Sequence, residues 1–118
     1  MWVFTKTGFV SIVEHRDDPG RLLVRARTAR HLRKLFPNHA VEKTPDADYP
    51  ARVYVSRDEL LQWLLKQGQG IDYTNFKSSI PFEELSYSLV CHNVWAAARQ
   101  LQAKSTIDWE EQRDDPEL

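Results

Sequence analysis

Apolar and polar positions alternate along the first part of the chain and then give way to a helical period. Val10 and Ile12 alternate with Ser11 and Val13, which predicts a strand over Phe9–His15 with both faces partly covered. Trp2–Lys6 either extends this strand or forms a short one of its own, with Gly8 as a bend or bulge. A second strand is predicted over Leu22–Arg27, where Leu22, Val24 and Ala26 alternate with Leu23, Arg25 and Arg27. Asp17-Asp18-Pro19-Gly20 between them is a turn: proline presets one dihedral, glycine accepts positive φ, and aspartate bonds the local backbone. The two strands should pair as an antiparallel hairpin. Val41–Lys43 reads as a brief edge strand. Tyr49–Val55 reads as the third main strand, with Val53 and Val55 on one face and Arg52 and Tyr54 on the other.

Helical spacing governs three other segments. Thr28 suits the N-cap of a helix over Ala29–Phe36, with Ala29, Leu32, Leu35 and Phe36 on one stripe and Arg30, His31, Arg33 and Lys34 largely outside it. Ser56 and Glu59 have capping-box spacing and open a helix over Arg57–Gln67. Its expected buried stripe is Leu60, Leu61, Leu64 and Leu65, with Trp63 at the margin and Gly68 as the stop. Pro81 suits the first turn of the longest helix, about Phe82–Ala103, whose stripe is Val90, Val94, Ala97 and Leu101. Antiparallel strands followed by helices predict a two-layer α+β sandwich with helices on one face, and a ferredoxin-like variant is the arrangement this order suggests. Residues 1–103 form the predicted single domain. Residues 104–118 hold six acids against Lys104 and Arg113, together with Pro116, and are expected as a mobile acidic tail.

Composition narrows the class. A chain of 118 residues with 42% hydrophobic and 28% charged residues fits one globular domain with a real core. A net charge of −1 provides no global field toward nucleic acid or membrane. The single cysteine, Cys91, excludes an internal disulfide framework and reads as a buried thiol. No apolar run approaches the roughly 18 residues that span a bilayer, and Trp2-Val3-Phe4 is too short for a signal-peptide core. The default expectation is a cytoplasmic protein without a membrane partner.

The histidines His15, His31, His39 and His92 are too scattered for a recognisable metal site, and Gly68-Gln69-Gly70 lacks the rest of a nucleotide fingerprint. No cofactor or metal is therefore expected. A stronger signal is the run from Arg21 to Lys34, which holds six bases (Arg21, Arg25, Arg27, Arg30, Arg33, Lys34) and no acid. Arg25 and Arg27 share a strand face. If the third strand is their neighbour, Arg52 and Tyr54 join them, the residue mix with which small α+β domains hold single-stranded nucleic acid. The competing reading is neutralisation by Asp17, Asp18, Asp46, Asp48 and the acidic tail. Asp72-Tyr73-Thr74-Asn75-Phe76-Lys77 packs dense polar chemistry into one connection. Asp48 and Asp72 could do acid–base work if they converge. Asp72 equally suits capping of the next turn, Tyr73 and Phe76 suit plugging the core's end, and Lys77 suits pairing with Asp72 or Asp48.

An ordered series of segments carries a resemblance over roughly residues 1–102: Met1-Trp2-Val3-Phe4-Thr5-Lys6 with Gly8-Phe9 and Ser11-Ile12-Val13, Leu23-Val24-Arg25-Ala26-Arg27, Thr44-Pro45-Asp46-Ala47-Asp48-Tyr49 with Arg52, Asp72-Tyr73-Thr74-Asn75-Phe76-Lys77 and Val94-Trp95. The series resembles a family of small, uncharacterised bacterial proteins. The resemblance carries over no activity, cofactor or partner. It directs attention to Arg25, Arg27, Asp48, Tyr49, Asp72, Tyr73, Asn75 and Lys77. The expectation is a non-enzymatic interaction module with a protein partner. Its alternatives are single-stranded nucleic-acid binding through a basic sheet face that includes Arg52 and Tyr54, and a small enzyme with an Asp48/Asp72/Lys77 pocket.

Overall fold

The computed structural model describes the backbone of residues 1–112 and the side chains of residues 1–102. The chain divides into two units, Met1–Pro81 and Phe82–Leu118. The first unit holds a five-stranded sheet of β1 (Trp2–Phe4), β2 (Phe9–Glu14), β3 (Arg21–Ala26), β4 (Glu42–Lys43) and β5 (Ala51–Ser56). Its spatial order is β1-β2-β3-β5-β4, and every pairing is antiparallel. Helices α1 (Ala29–Leu35) and α2 (Arg57–Gln69) pack on one face, so the class is the expected two-layer α+β arrangement. Three strands precede the first helix. This is not the β-α-β-β-α-β alternation of a ferredoxin-like fold.

The core follows from strict period-2 burial. Val10 and Ile12 of β2, Leu22, Val24 and Ala26 of β3, and Ala51, Val53 and Val55 of β5 face the helices, where Leu32, Leu35, Phe36, Leu60 and Trp63 complete the cluster. Phe36 and Trp63 stack with centroids 4.8 Å apart, and the Trp63 indole N–H donates to the Leu35 carbonyl at 2.9 Å. That bond ties α2 to the end of α1. It also corrects the expected stripe of α2. Leu60 and Trp63 are buried, while Leu61 and Leu65 are 60% and 54% exposed. Positions 60, 63 and 64 share a helix face, and Leu61 and Leu65 are turned about 100° away from their predecessors on it.

Local chemistry sets the ends of the elements. Thr28 caps α1 by accepting from the His31 N–H, and Ser56 and Glu59 form the expected reciprocal capping box of α2. Gly68 lies inside α2, and Gly70 rather than Gly68 caps it. In the β2–β3 turn the Asp18 carboxylate accepts from the Gly20 N–H at 3.0 Å. No glycine among the described residues has positive φ, so the turn does not use the conformational freedom expected of Gly20. β1 is a separate strand joined to β2 by a turn in which the Thr5 hydroxyl accepts from the N–H groups of Thr7 and Gly8, both at 3.1 Å. Gly8 is required there by close approach: a Cβ would lie 2.6 Å from His31 Cγ. His31, placed outside the stripe by its spacing, is buried, and its Nδ1 accepts from the Phe9 N–H at 3.3 Å.

A one-turn helix, α3 (Phe76–Ser79), occupies part of the expected loop. In the second unit, α4 runs over Leu85–Gln112. It begins four residues after Pro81, which lies outside its first turn, and the first-turn bond runs from the Ser88 N–H to the Glu84 carbonyl at 2.9 Å. Tyr87 and Cys91, one turn apart, are buried, whereas Val90, Val94 and Leu101 of the expected stripe are exposed. Burial pushes the Cys91 thiol upward. The acidic stretch is helical as far as Gln112, and the remainder of the expected tail lies outside the described residues. Among the described residues no helix is long and apolar enough to cross a membrane.

Two stability measurements probe this account. Gly8→Ala should destabilise by about 1–3 kcal/mol, the usual range for overpacking, because the buried His31 ring must give way. An unchanged denaturant midpoint would contradict the close approach. Ser56→Ala should cost about 1 kcal/mol through loss of the cap, with an unchanged denaturant slope.

Candidate binding face of the sheet

The alternation that buries the aliphatic residues turns their neighbours to the second face of the sheet. Register aligns them into a row that crosses all five strands. Trp2 stands opposite Ser11, Ser11 opposite Arg25, Arg25 opposite Arg52, and Arg52 opposite Glu42. The adjacent row holds Val13, Leu23 and Tyr54. Arg25 and Arg52 are therefore directly opposed like charges, an arrangement that is unfavourable by itself. Val13, Leu23, Arg25, Arg52 and Tyr54 of these rows, with residues 14–17, line a cleft of ≈ 450 Å³.

Tyr49 organises one side of this face. Its ring is buried, with the guanidinium groups of Arg25 and Arg27 at 4.5 Å and 4.2 Å from its centroid. Each such contact is worth about 0.5–1 kcal/mol at an exposed site. Arg25 Nη2 donates to Ser11 Oγ at 2.9 Å, and Arg52 Nε donates to the Tyr49 carbonyl at 3.4 Å. Arg27 Nη1 donates to the Asp48 carboxylate at 2.8 Å and to the Asp48 carbonyl at 2.5 Å. The Asp48 hydrogen bond holds the Arg27 guanidinium above its ordinary pKa. On the other side, Arg21 lies 5.0 Å above the Tyr54 ring and His15 is 5.3 Å from it.

The ion pairs divide the bases into two groups. Lys6 holds Asp72, Arg27 holds Asp48, and Arg57 holds Glu14. Among the described residues Arg21, Arg25 and Arg52 make no ion pair, and Arg25 Nε is buried without a hydrogen-bond partner. Beside this set, Phe4 and Phe9 stack at 4.3 Å, and Trp2 meets Phe9 edge-on at 5.9 Å. Trp2 is 69% exposed.

The Asp72–Lys77 segment belongs to a different feature. Lys6 Nζ donates to both Asp72 carboxylate oxygens at 3.0 and 3.2 Å, which lowers the Asp72 pKa. Asn75 caps α3 by accepting from the Ser78 N–H at 3.2 Å. Tyr73 packs against Phe76 at 5.9 Å and lines a cleft of ≈ 360 Å³ with Phe4, Lys6, Leu64 and Gly70. Lys77 lies within α3. A third cleft, ≈ 540 Å³, contains Phe36, Trp63, His39 and Glu59. There His39 Nε2 meets Glu59 at 2.7 Å, and the Ser56 backbone N–H, followed by His39, draws the Glu59 pKa down. Among the described residues no group of three or more His, Cys, Asp or Glu side chains is placed to hold a metal ion.

Of the residues singled out by sequence, Arg25, Arg27, Asp48, Tyr49 and Arg52 meet in one contact network, with Tyr54 in the adjacent row. Asp72 pairs with Lys6, Tyr73 packs on Phe76 of α3, and Asn75 caps α3. The acidic ends are each closed by a base from another segment: Asp48 by Arg27, and Asp72 by Lys6 rather than by Lys77. Spacing alone did not single out Trp2 or Ser11, and it marked Arg21 only as the first base of the Arg21–Lys34 run. Extending the period-2 pattern from Arg25 across the strands would have found Ser11, but Trp2 needs the β1–β2 register. No family model, curated protein or solved structure matches this chain.

The Lys6–Asp72 bond makes a pH prediction. A depressed carboxylate pKa contributes stability above the unfolded value, about 3.9, and that contribution disappears as pH falls through the folded value. Asp72→Asn should therefore lower the urea midpoint at pH 7 and leave it nearly unchanged at pH 2. Added salt should shrink the pH 7 difference, because both groups are largely exposed.

Proposed function

We propose that this protein is a non-enzymatic binding module that engages an anionic partner through the second face of its sheet. The observation that carries the reading is the opposed Arg25–Arg52 pair, which has no carboxylate partner among the described residues. Like charges at directly opposed register positions are unfavourable, an anion bound between them would relieve this, and arginine's planar fork suits bidentate oxygen anions. Arg25 is prearranged by Ser11 and Tyr49, so little side-chain entropy is lost on binding. The carboxylates that would serve an enzyme pocket, Asp48 and Asp72, are instead engaged by Arg27 and Lys6.

Retention on an immobilised polyanion, eluted with salt, tests the reading. Arg25→Gln with Arg52→Gln should elute at markedly lower salt than the parent chain. Arg30→Gln with Arg33→Gln, which removes the same charge from α1, should elute close to the parent. Equal displacement of both double variants would reduce the interaction to net charge and overturn the assignment.

A further inference from the structure

We infer that the anionic partner is single-stranded nucleic acid, with phosphates seated at Arg25 and Arg52 and a base stacked on Trp2. The inference rests on the binding-face reading above and names its ligand. Its geometric basis is the row Trp2–Ser11–Arg25–Arg52. Neighbouring strands lie about 4.8 Å apart, so the row puts Trp2 roughly 10 Å from Arg25 and 15 Å from Arg52. A single strand carries bases and phosphates past one another on this scale.

Two features favour nucleic acid over an acidic peptide. Trp2 presents an exposed ring braced by Phe9, which is itself stacked on Phe4, so a flat stacking surface exists before any ligand arrives. Tyr54 is half-buried in the row beside the arginines, with Arg21 above it, adding a second ring next to positive charge. An acidic peptide would use the arginines but gain little from the rings. A base uses both, because every base has a π-face. Duplex is disfavoured because its bases are already stacked, and a broad sheet face does not enter a groove sized for a helix or a two-stranded ribbon.

Acids near the site limit the affinity. Glu42 stands opposite Arg52 in the sheet, and Asp17 lines the cleft. With a net charge of −1 there is no long-range steering, so binding depends on the patch itself. Two or three phosphate contacts give a log–log salt slope of about −1.4 to −2.1 on a single strand.

The experiment is fluorescence anisotropy with the full chain, a labelled oligo-uridine, a labelled oligo-thymidine, a duplex of equal length and a poly-glutamate peptide. The expected result is binding of the single strands at low salt with that slope and weaker binding of duplex and peptide. Trp2→Ala should weaken single-strand binding about 5- to 160-fold, the range for losing one stacked base, and Trp2→Phe should restore most of it. Arg25→Gln and Arg52→Gln should each flatten the salt slope by about 0.7. Equal affinity for poly-glutamate, with no effect of Trp2→Ala, would overturn the nucleic-acid assignment and leave the anionic-face reading standing. No oligonucleotide binding at low salt would also overturn it, and peptide binding or polyanion retention in that case decides the broader reading separately.

Discussion

Eight aliphatic side chains on three adjacent strands share the face that α1 and α2 cover, and their register constrains everything else in the first unit. Val10, Ile12, Leu22, Val24, Ala26, Ala51, Val53 and Val55 are all buried there. A shift of one residue in any of these strands would turn its aliphatic set away from the helices. Burying a valine or leucine side chain is worth about 1.5–3 kcal/mol, so a slip would cost several such terms together. The same constraint sends Ser11, Arg25, Arg52 and Tyr54 to the opposite face. The arginine row is thus a geometric consequence of how the core is packed.

The electrostatic cost of that row is reduced locally. Arg25 is stabilised by Ser11 and Tyr49, and Arg52 by a backbone carbonyl, none of which carries a formal negative charge. Elsewhere the chain neutralises its bases directly, as in the pairs Lys6–Asp72, Arg27–Asp48 and Arg57–Glu14. Those pairs are exposed, and exposed pairs contribute little to stability. Their value is positional: they join segments distant in sequence, whereas Arg25 and Arg52 meet only uncharged acceptors among the described residues.

Several elements were legible from local chemistry. Thr28 and the Ser56–Glu59 pair marked helix starts because capping depends on residues three apart. The hairpin of β2 and β3 followed from two alternating runs around an Asp-Pro-Gly turn. The adjacency of Arg25 and Arg52 was legible only as a condition on strand order. Other expectations failed for nonlocal reasons. Leu61 and Leu65 looked buried because leucine is apolar, but the Trp63–Leu35 hydrogen bond fixes which side of α2 faces the sheet. His31 looked peripheral on its helix, and Gly8 looked like a simple bend. Each makes sense through the other, twenty-three positions apart in sequence.

By itself, the sequence determined the class, the N-caps of α1 and α2 and the face to which most strand residues point, because these depend on periodicity and on neighbours a few positions away. It also marked the arginines and Tyr54 as a group worth watching. Tertiary structure decided which bases are neutralised and which are not. Asp48 and Asp72 resembled parts of one pocket until the fold gave each its own base. Trp2 was an isolated aromatic until β1 paired with β2 and placed it at the end of the Ser11–Arg25–Arg52 row. The physical reason is that charge pairing and stacking act over a few ångströms between residues distant in sequence. Their partners are set by strand register and turn geometry, which the core enforces and no short segment contains.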